Sequence, residues 1–108
     1  MELGLYTSGD WHVKQGHEEA FIAAWKDLAE WTFETVEGGT FAKLLRDRSD
    51  PTRFLSFSPW RDEEAVTAWR ALPGFAERVG HIRGLVESFN ARSMDVVAEF
   101  GVQTPDPW

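Results

Sequence analysis

The stretch SPWRDEEAVTAWRALPGF, Ser58 to Phe75, decides how the chain is read. It opens as the end of a strand at Trp60. It then passes through Asp62-Glu63-Glu64, an acidic turn of the kind that favours the positive end of a helix dipole. A short helix carrying Trp69 follows, and Pro73-Gly74 interrupts it, because proline lacks an N–H and clashes with the preceding turn. Beyond the break a second helical piece is predicted, with Phe75, Val79, Ile82, Val86 and Phe89 on one face. The two tryptophans thus belong to different elements. Trp60 reads as structural, closing its strand. Trp69 lies at helical spacing from Ala65, Val66 and Leu72, which makes it either core or the wall of a pocket, where an indole offers an apolar face and an N–H donor.

Working outward, Phe41–Arg46 and Phe54–Trp60 read as the arms of a hairpin, with Asp50-Pro51 supplying the turn chemistry. Pro59 cannot donate a ladder hydrogen bond and marks a strand end or an edge. Before the hairpin, a helix is predicted from His17 to about Phe33. Phe21, Ile22, Trp25, Leu28, Ala29 and Thr32 form its apolar stripe, Trp31 sits at the stripe's edge, and Gly38 or Gly39 closes it. The first strand runs from Leu3 to Val13. Its odd positions are mostly apolar, but Thr7 and Gly9 interrupt them, and a glycine on an inner strand face marks a bulge or a close approach. The last strand is predicted at Arg92–Phe100, ahead of a tail at 101–108 that ends in Trp108.

The order is β-α-β-β-α-β in a single domain spanning residues 1–108, with its core at about 3–100. Two amphipathic helices over one face of a four-stranded antiparallel sheet make an α+β sandwich of ferredoxin-like topology. The other sheet face mixes apolar side chains with polar ones such as Lys43, and a two-fold dimer is the commonest cover for such a face.

Composition narrows the function. The net charge is −7. That argues against general nucleic-acid affinity, which needs Lys and Arg to displace counterions, and against an anionic membrane surface. The chain has no cysteine, so thiolate chemistry and Cys-ligated metals are out. No apolar run reaches the ~18 residues of a membrane span, and no secretory signal is visible, which makes cytoplasmic the default expectation. No histidine pair or Glu-x-x-His spacing suggests a metal site, and no Gly-rich phosphate loop precedes a helix. Six tryptophans and eight phenylalanines are more large rings than so short a chain needs as filler, which points to a core, a cavity or an interface rich in aromatics.

The segments VKQGHEEAFIAAW (Val13–Trp25) and FSPWRDEEAVTAWRALPGF (Phe57–Phe75) resemble the antibiotic biosynthesis monooxygenase (ABM) domains of the dimeric α/β-barrel superfamily. The resemblance covers about Leu3 to Phe100. It implies two ferredoxin-like protomers packed sheet against sheet, with a pocket in each between sheet and helices. It also implies a monooxygenase that oxidises small aromatic substrates, phenols, dihydroquinones or polyketide-like rings, with O2 and without metal or flavin. A haem-degrading branch of the family uses an Asn, a Trp and a His; here Gly9 falls in the Asn slot, Trp69 in the Trp slot and Val79 in the His slot, so only the Trp survives. Haem binding or degradation is therefore the alternative, and a non-catalytic small-molecule-binding or stress-related dimer is the other.

Within the implied pocket, Trp11, Trp25, Trp69 and Phe75 would supply an apolar cavity. Thr7, the Trp69 N–H or Arg78 would hold a phenolate or enolate oxygen. His81 is the candidate general base, since histidine is the side chain that ordinarily titrates near neutrality. The expected catalytic residues are Trp69 and His81, and the expected substrate-binding residues are Thr7, Trp11, Trp25, Phe75 and Arg78; no cofactor is expected.

Overall fold

The computed structural model describes residues 4–37 and 40–101. Leu3, Gly38, Gly39 and the tail from Val102 to Trp108, all of which figure in the sequence reading, lie outside the described residues. The elements run β1 (Leu5–Val13), α1 (Glu18–Thr35), β2 (Lys43–Arg46), β3 (Arg53–Trp60), α2 (Glu63–Ala71), α3 (Pro73–Arg83) and β4 (Val86–Asp95). The sheet order is β2-β3-β1-β4 and every pair is antiparallel, which is the ferredoxin-like arrangement.

Alternation on the two central strands decides what faces the helices. Thr7, Gly9, Trp11 and Val13 on β1, and Phe54, Ser56, Ser58 and Trp60 on β3, are buried beneath the helical layer. Gly16 turns the chain from β1 toward α1 with φ +88, a value that favours glycine. Helix α1 then buries Phe21, Ala24, Leu28 and Thr32, at i, i+3, i+7 and i+11 along one stripe. Phe21 is fully enclosed between the rings of Trp11 and Phe54, with centroids 5.4 and 4.9 Å away. With Val13, Leu28, Ile82 and Val86 these rings form the main core. A second, smaller cluster joins Trp60 to Ala65 and Val66 of α2, with Leu5, Val36 and Trp69 against it.

The helical interruption falls where the sequence places it. Leu72 ends α2 and begins α3 in an extended conformation, its N–H reaching back to the Trp69 carbonyl at 3.2 Å, and Pro73 opens α3. The start of α2 is capped by Asp62, whose carboxylate accepts the Ala65 N–H at 2.9 Å. That hydrogen bond holds the Asp62 carboxyl below its ordinary range. A carboxyl with a lowered folded pKa stabilises the fold above its unfolded value, and the contribution is lost as pH falls through the folded value. Asp62→Ala should therefore melt at a lower temperature than the wild type at pH 7, with the gap narrowing once pH drops below about 4, where unperturbed aspartates protonate. Melting followed by circular dichroism along a pH series checks this, and a gap of constant size from pH 7 to 2 would count against it. Asp47 and Asp50 in the hairpin turn are lowered in the same way, chiefly by the hydroxyls of Ser49 and Thr52, each at 2.7 Å.

The last strand departs from the sequence reading at both ends. Val86 and Phe89 belong to β4, not to the second helical piece, and β4 ends at Asp95 instead of running on to Phe100. At the start the reason is a register shift: His12 faces Ser88 while Val13 faces Val86, so Glu87 is an extra residue in β4. The bulge puts Val86 and Phe89, three apart, on the same side of the sheet. A spacing of three is also a helix spacing, which explains the misreading. Phe89 stacks on Trp11 at 5.1 Å between centroids. Beyond Asp95, Val97 and Phe100 are exposed.

The outer sheet face carries Tyr6 against Phe57 and the exposed Leu45, Leu55 and Met94, mixed with polar neighbours. No helix among the described residues is long and apolar enough to cross a membrane.

Candidate functional site

Between the inner sheet face and the helices lies a partly open hollow of about 120 Å³. That is on the order of ten times the space one water requires. Its floor is β1 and β3, at Thr7, Gly9, Trp11, Ser56, Ser58 and Trp60. Its walls are Trp25, Leu28 and Thr32 of α1 and Phe89 of β4. Its roof is Trp69 of α2 with Phe75 and Val79 of α3. Trp69 is the keystone of that roof. It tilts against Trp60 at 4.8 Å and meets Phe75 edge-on at 4.7 Å, so it links the smaller cluster to the α3 side of the hollow.

The floor is small because its sequence is small. Gly9 faces Ser56 across the β1–β3 pair, and a Cβ on Gly9 would come within 2.7 Å of Trp11 Nε1 and 2.8 Å of Ser56 Oγ. The missing side chain thus lets the Trp11 ring cross the strand and donate to Ser56 at 3.0 Å. The close approach that an inner-face glycine signals is made by the protein's own indole. Two more indoles repeat the pattern: Trp60 Nε1 donates to Thr7 Oγ1 at 3.0 Å and Trp69 Nε1 to Thr32 Oγ1 at 2.9 Å.

Of the residues singled out in the sequence, Thr7, Trp11, Trp25, Trp69 and Phe75 come together around the hollow. Arg78 and His81 are not among its lining. Arg78 lies outside the roof, where its guanidinium covers the Trp31 ring at 4.8 Å and its Nε is 3.2 Å from Asp27. It clamps α3 to α1, beside Gly74, whose bare Cα accommodates the Trp31 ring. His81 is exposed on α3. The Trp69 N–H proposed to meet a ligand is already bonded to Thr32.

The sequence reading missed Ser56, Ser58, Thr32 as a hydroxyl partner, and Arg70, an exposed cation on the rim. A signal for the serines was present: small polar residues alternating with Phe54 and Trp60 occupy core-parity positions of β3, where an apolar side chain is the default. Arg70 carried none, because a basic residue in the last turn of a helix is explained by the dipole.

The model of the family described as antibiotic biosynthesis monooxygenase matches residues 7–79, more than half of the chain. The chain belongs to the antibiotic biosynthesis monooxygenase family. No curated protein matches the sequence. Among solved structures, a mutant of SnoaB from Streptomyces nogalater, described as a cofactor-independent oxygenase, superposes with a TM-score of 0.83 at 20% identity, covering 90% of this chain and 96% of that one. A candidate antibiotic biosynthesis monooxygenase from Deinococcus radiodurans superposes with a TM-score of 0.79 at 18% identity, covering 93% and 99%. A conserved protein from Methanosarcina mazei gives 0.78 at 17%, covering 87% and 93%. At these identities the likeness speaks to fold, and the ABM fold is what β1 to β4 display.

The ABM hollow offers haem a poor seat. Its described lining has no histidine. No group of three or more His, Asp or Glu positioned for a metal occurs among the described residues.

Proposed function

We propose that this ABM-family chain is a cofactor-independent monooxygenase that oxidises a small aromatic molecule, a phenol, dihydroquinone or polyketide-like ring, inside the hollow. The observation that carries the reading is the hollow's makeup: apolar aromatic walls with buried hydroxyls confined to its floor and wall. The description of SnoaB as a cofactor-independent oxygenase supports it.

The chemistry asks little of the protein. An anthrone or dihydroquinone, once deprotonated, is electron-rich enough to reduce O2 itself. For an anthrone-type CH2, the anion passes one electron to O2, and the carbon radical and superoxide combine to form the C–O bond. The hydroperoxide then loses water to leave a carbonyl. One oxygen atom of O2 ends in the product and the other in water, with both hydrogens of the CH2 leaving in that water. The protein excludes bulk solvent, aligns the ring between Trp69, Trp25 and Phe75, and holds the anionic oxygen.

Arg70 is the one ionisable side chain among the described lining residues. Proton removal is therefore assigned to solvent at the rim, where the Arg70 charge favours the anion that results. His81, exposed on α3, has no part in this reading.

Oxygen-electrode assays with anthrone and with a dihydroquinone should show uptake above the uncatalysed rate; with anthrone, one O2 should be consumed per anthraquinone formed, and that anthraquinone should carry a single ¹⁸O atom from labelled O2. Folded protein that leaves the uncatalysed rate unchanged for both substrates would sink the proposal. The outer sheet face, with Leu45, Leu55 and Met94 exposed, supports a homodimer, which sedimentation at micromolar concentration checks.

A further inference from the structure

Four hydroxyls beneath the helices are buried: Thr7, Thr32, Ser56 and Ser58. Two have acceptors for their protons. Thr32 donates to the Leu28 carbonyl at 2.7 Å, and Ser58 to the Phe41 carbonyl at 2.6 Å. Thr7 and Ser56 differ. Each accepts an indole N–H, from Trp60 and Trp11 respectively, both at 3.0 Å. An indole nitrogen only donates, so the hydroxyl oxygen answers as acceptor and its own proton is left to give. Among the described residues neither proton has an acceptor, although both hydroxyls are buried, where an unused donor is costly.

Position sharpens the point. Thr7 faces Ser58 and Ser56 faces Gly9, so the two free donors sit diagonally on adjacent strands. Gly9 lies between them with the edge of the Trp11 indole over it, and both Thr7 and Ser56 line the hollow. Accepting from an indole polarises each hydroxyl and makes it a better donor.

We propose that Thr7 and Ser56 are paired hydrogen-bond donors for acceptor oxygens on the buried edge of a bound aromatic molecule, with Trp60 and Trp11 as the positioning residues that turn their protons into the hollow. The ligand class this selects is an aromatic ketone, enolate or phenolate that enters oxygen first. Rings that present only donors or only C–H to the floor leave both protons unpaired. The inference rests on the reading above only in placing an aromatic molecule in the hollow.

The probe is 1-tetralone, which has an acceptor oxygen and no acidic hydroxyl, with tetralin as its oxygen-free counterpart. The carbonyl stretch of 1-tetralone bound to the wild-type protein should fall below its value in hexane. The stretch should return toward the hexane value in Thr7→Val with Ser56→Ala, and Thr7→Ser should retain the shift. The affinity ratio of 1-tetralone to tetralin should drop about tenfold in the double variant, the scale of one good hydrogen bond to each ligand lone pair. Trp60→Phe, which frees Thr7 to rotate, should lose part of the infrared shift. A hexane-like stretch in the wild type, which needs no variant to fold, overturns the inference, and so does a shift that survives removal of both hydroxyls. Absence of oxygen uptake alongside a shifted carbonyl retires the oxygenase reading alone; oxygen uptake with an unshifted carbonyl retires this inference alone.

Discussion

Replacing Phe21 by alanine should lower the unfolding free energy by about 3–5 kcal/mol, the range for deleting a large buried ring. The residue is fully buried, packed between Trp11 and Phe54, and joins α1 to both central strands. Removing the ring forfeits its transfer from water and leaves a cavity, and the surrounding rings are too large and too tightly held to collapse into it. Domains of this size are stable by about 5–15 kcal/mol, so the variant should sit near the edge of folding at physiological temperature. Urea unfolding at unchanged slope measures the loss. A drop below about 1.5 kcal/mol would mean that the ring is not the centre of the core, since even single-methylene deletions reach that size.

Gly9→Ala should be the most damaging small substitution in the sheet. The added methyl would lie 2.7 Å from Trp11 Nε1 and 2.8 Å from Ser56 Oγ, so the indole must swing out and its hydrogen bond must break. Overpacking and the lost bond together should remove about 2–4 kcal/mol. The function should suffer as well: the displaced Trp11 ring enters the hollow that it now borders, and oxygen uptake with anthrone should fall by about tenfold or more, since small misplacements at a reacting centre have effects of that size. Stability from urea melts and initial uptake rates below the melting range separate the two effects. An alanine variant with wild-type stability and rate would show that the floor has slack that the close contacts deny.

Local chemistry made most of the fold legible. The Pro73-Gly74 break, the acidic helix start at Asp62–Glu64, the hairpin turn at Asp47–Thr52 and the α1 stripe are each set by residues near in sequence, and each appears where those residues place it. The start of β4 was illegible for a physical reason. Its bulge at Glu87 is a property of pairing with β1, and until that pairing exists Val86 and Phe89 are indistinguishable from a helical pair. The site divides in the same way. Large rings announce a hollow by their number, so Trp11, Trp25, Trp69 and Phe75 could be chosen from sequence. Which hydrogen bond each indole makes depends on partners 37 to 53 residues away, so Thr32 and Ser56 gained their roles, and Thr7 its indole partner, only from tertiary packing. Arg78 shows the converse: it looked like an anion holder because it is basic, yet Asp27 and Trp31 already occupy its guanidinium.

The apolar packing falls into two clusters, and the hollow touches both. Phe21, Val13 and Ile82 anchor one; Ala65, Val66 and Trp60 anchor the other. Exchanges at positions without shared neighbours tend to add independently. A lineage can therefore rewrite the α2 side, changing which molecules are admitted, while the foundation under α1 keeps its own margin. Such a division of labour gives one scaffold room to diversify its chemistry without first becoming fragile.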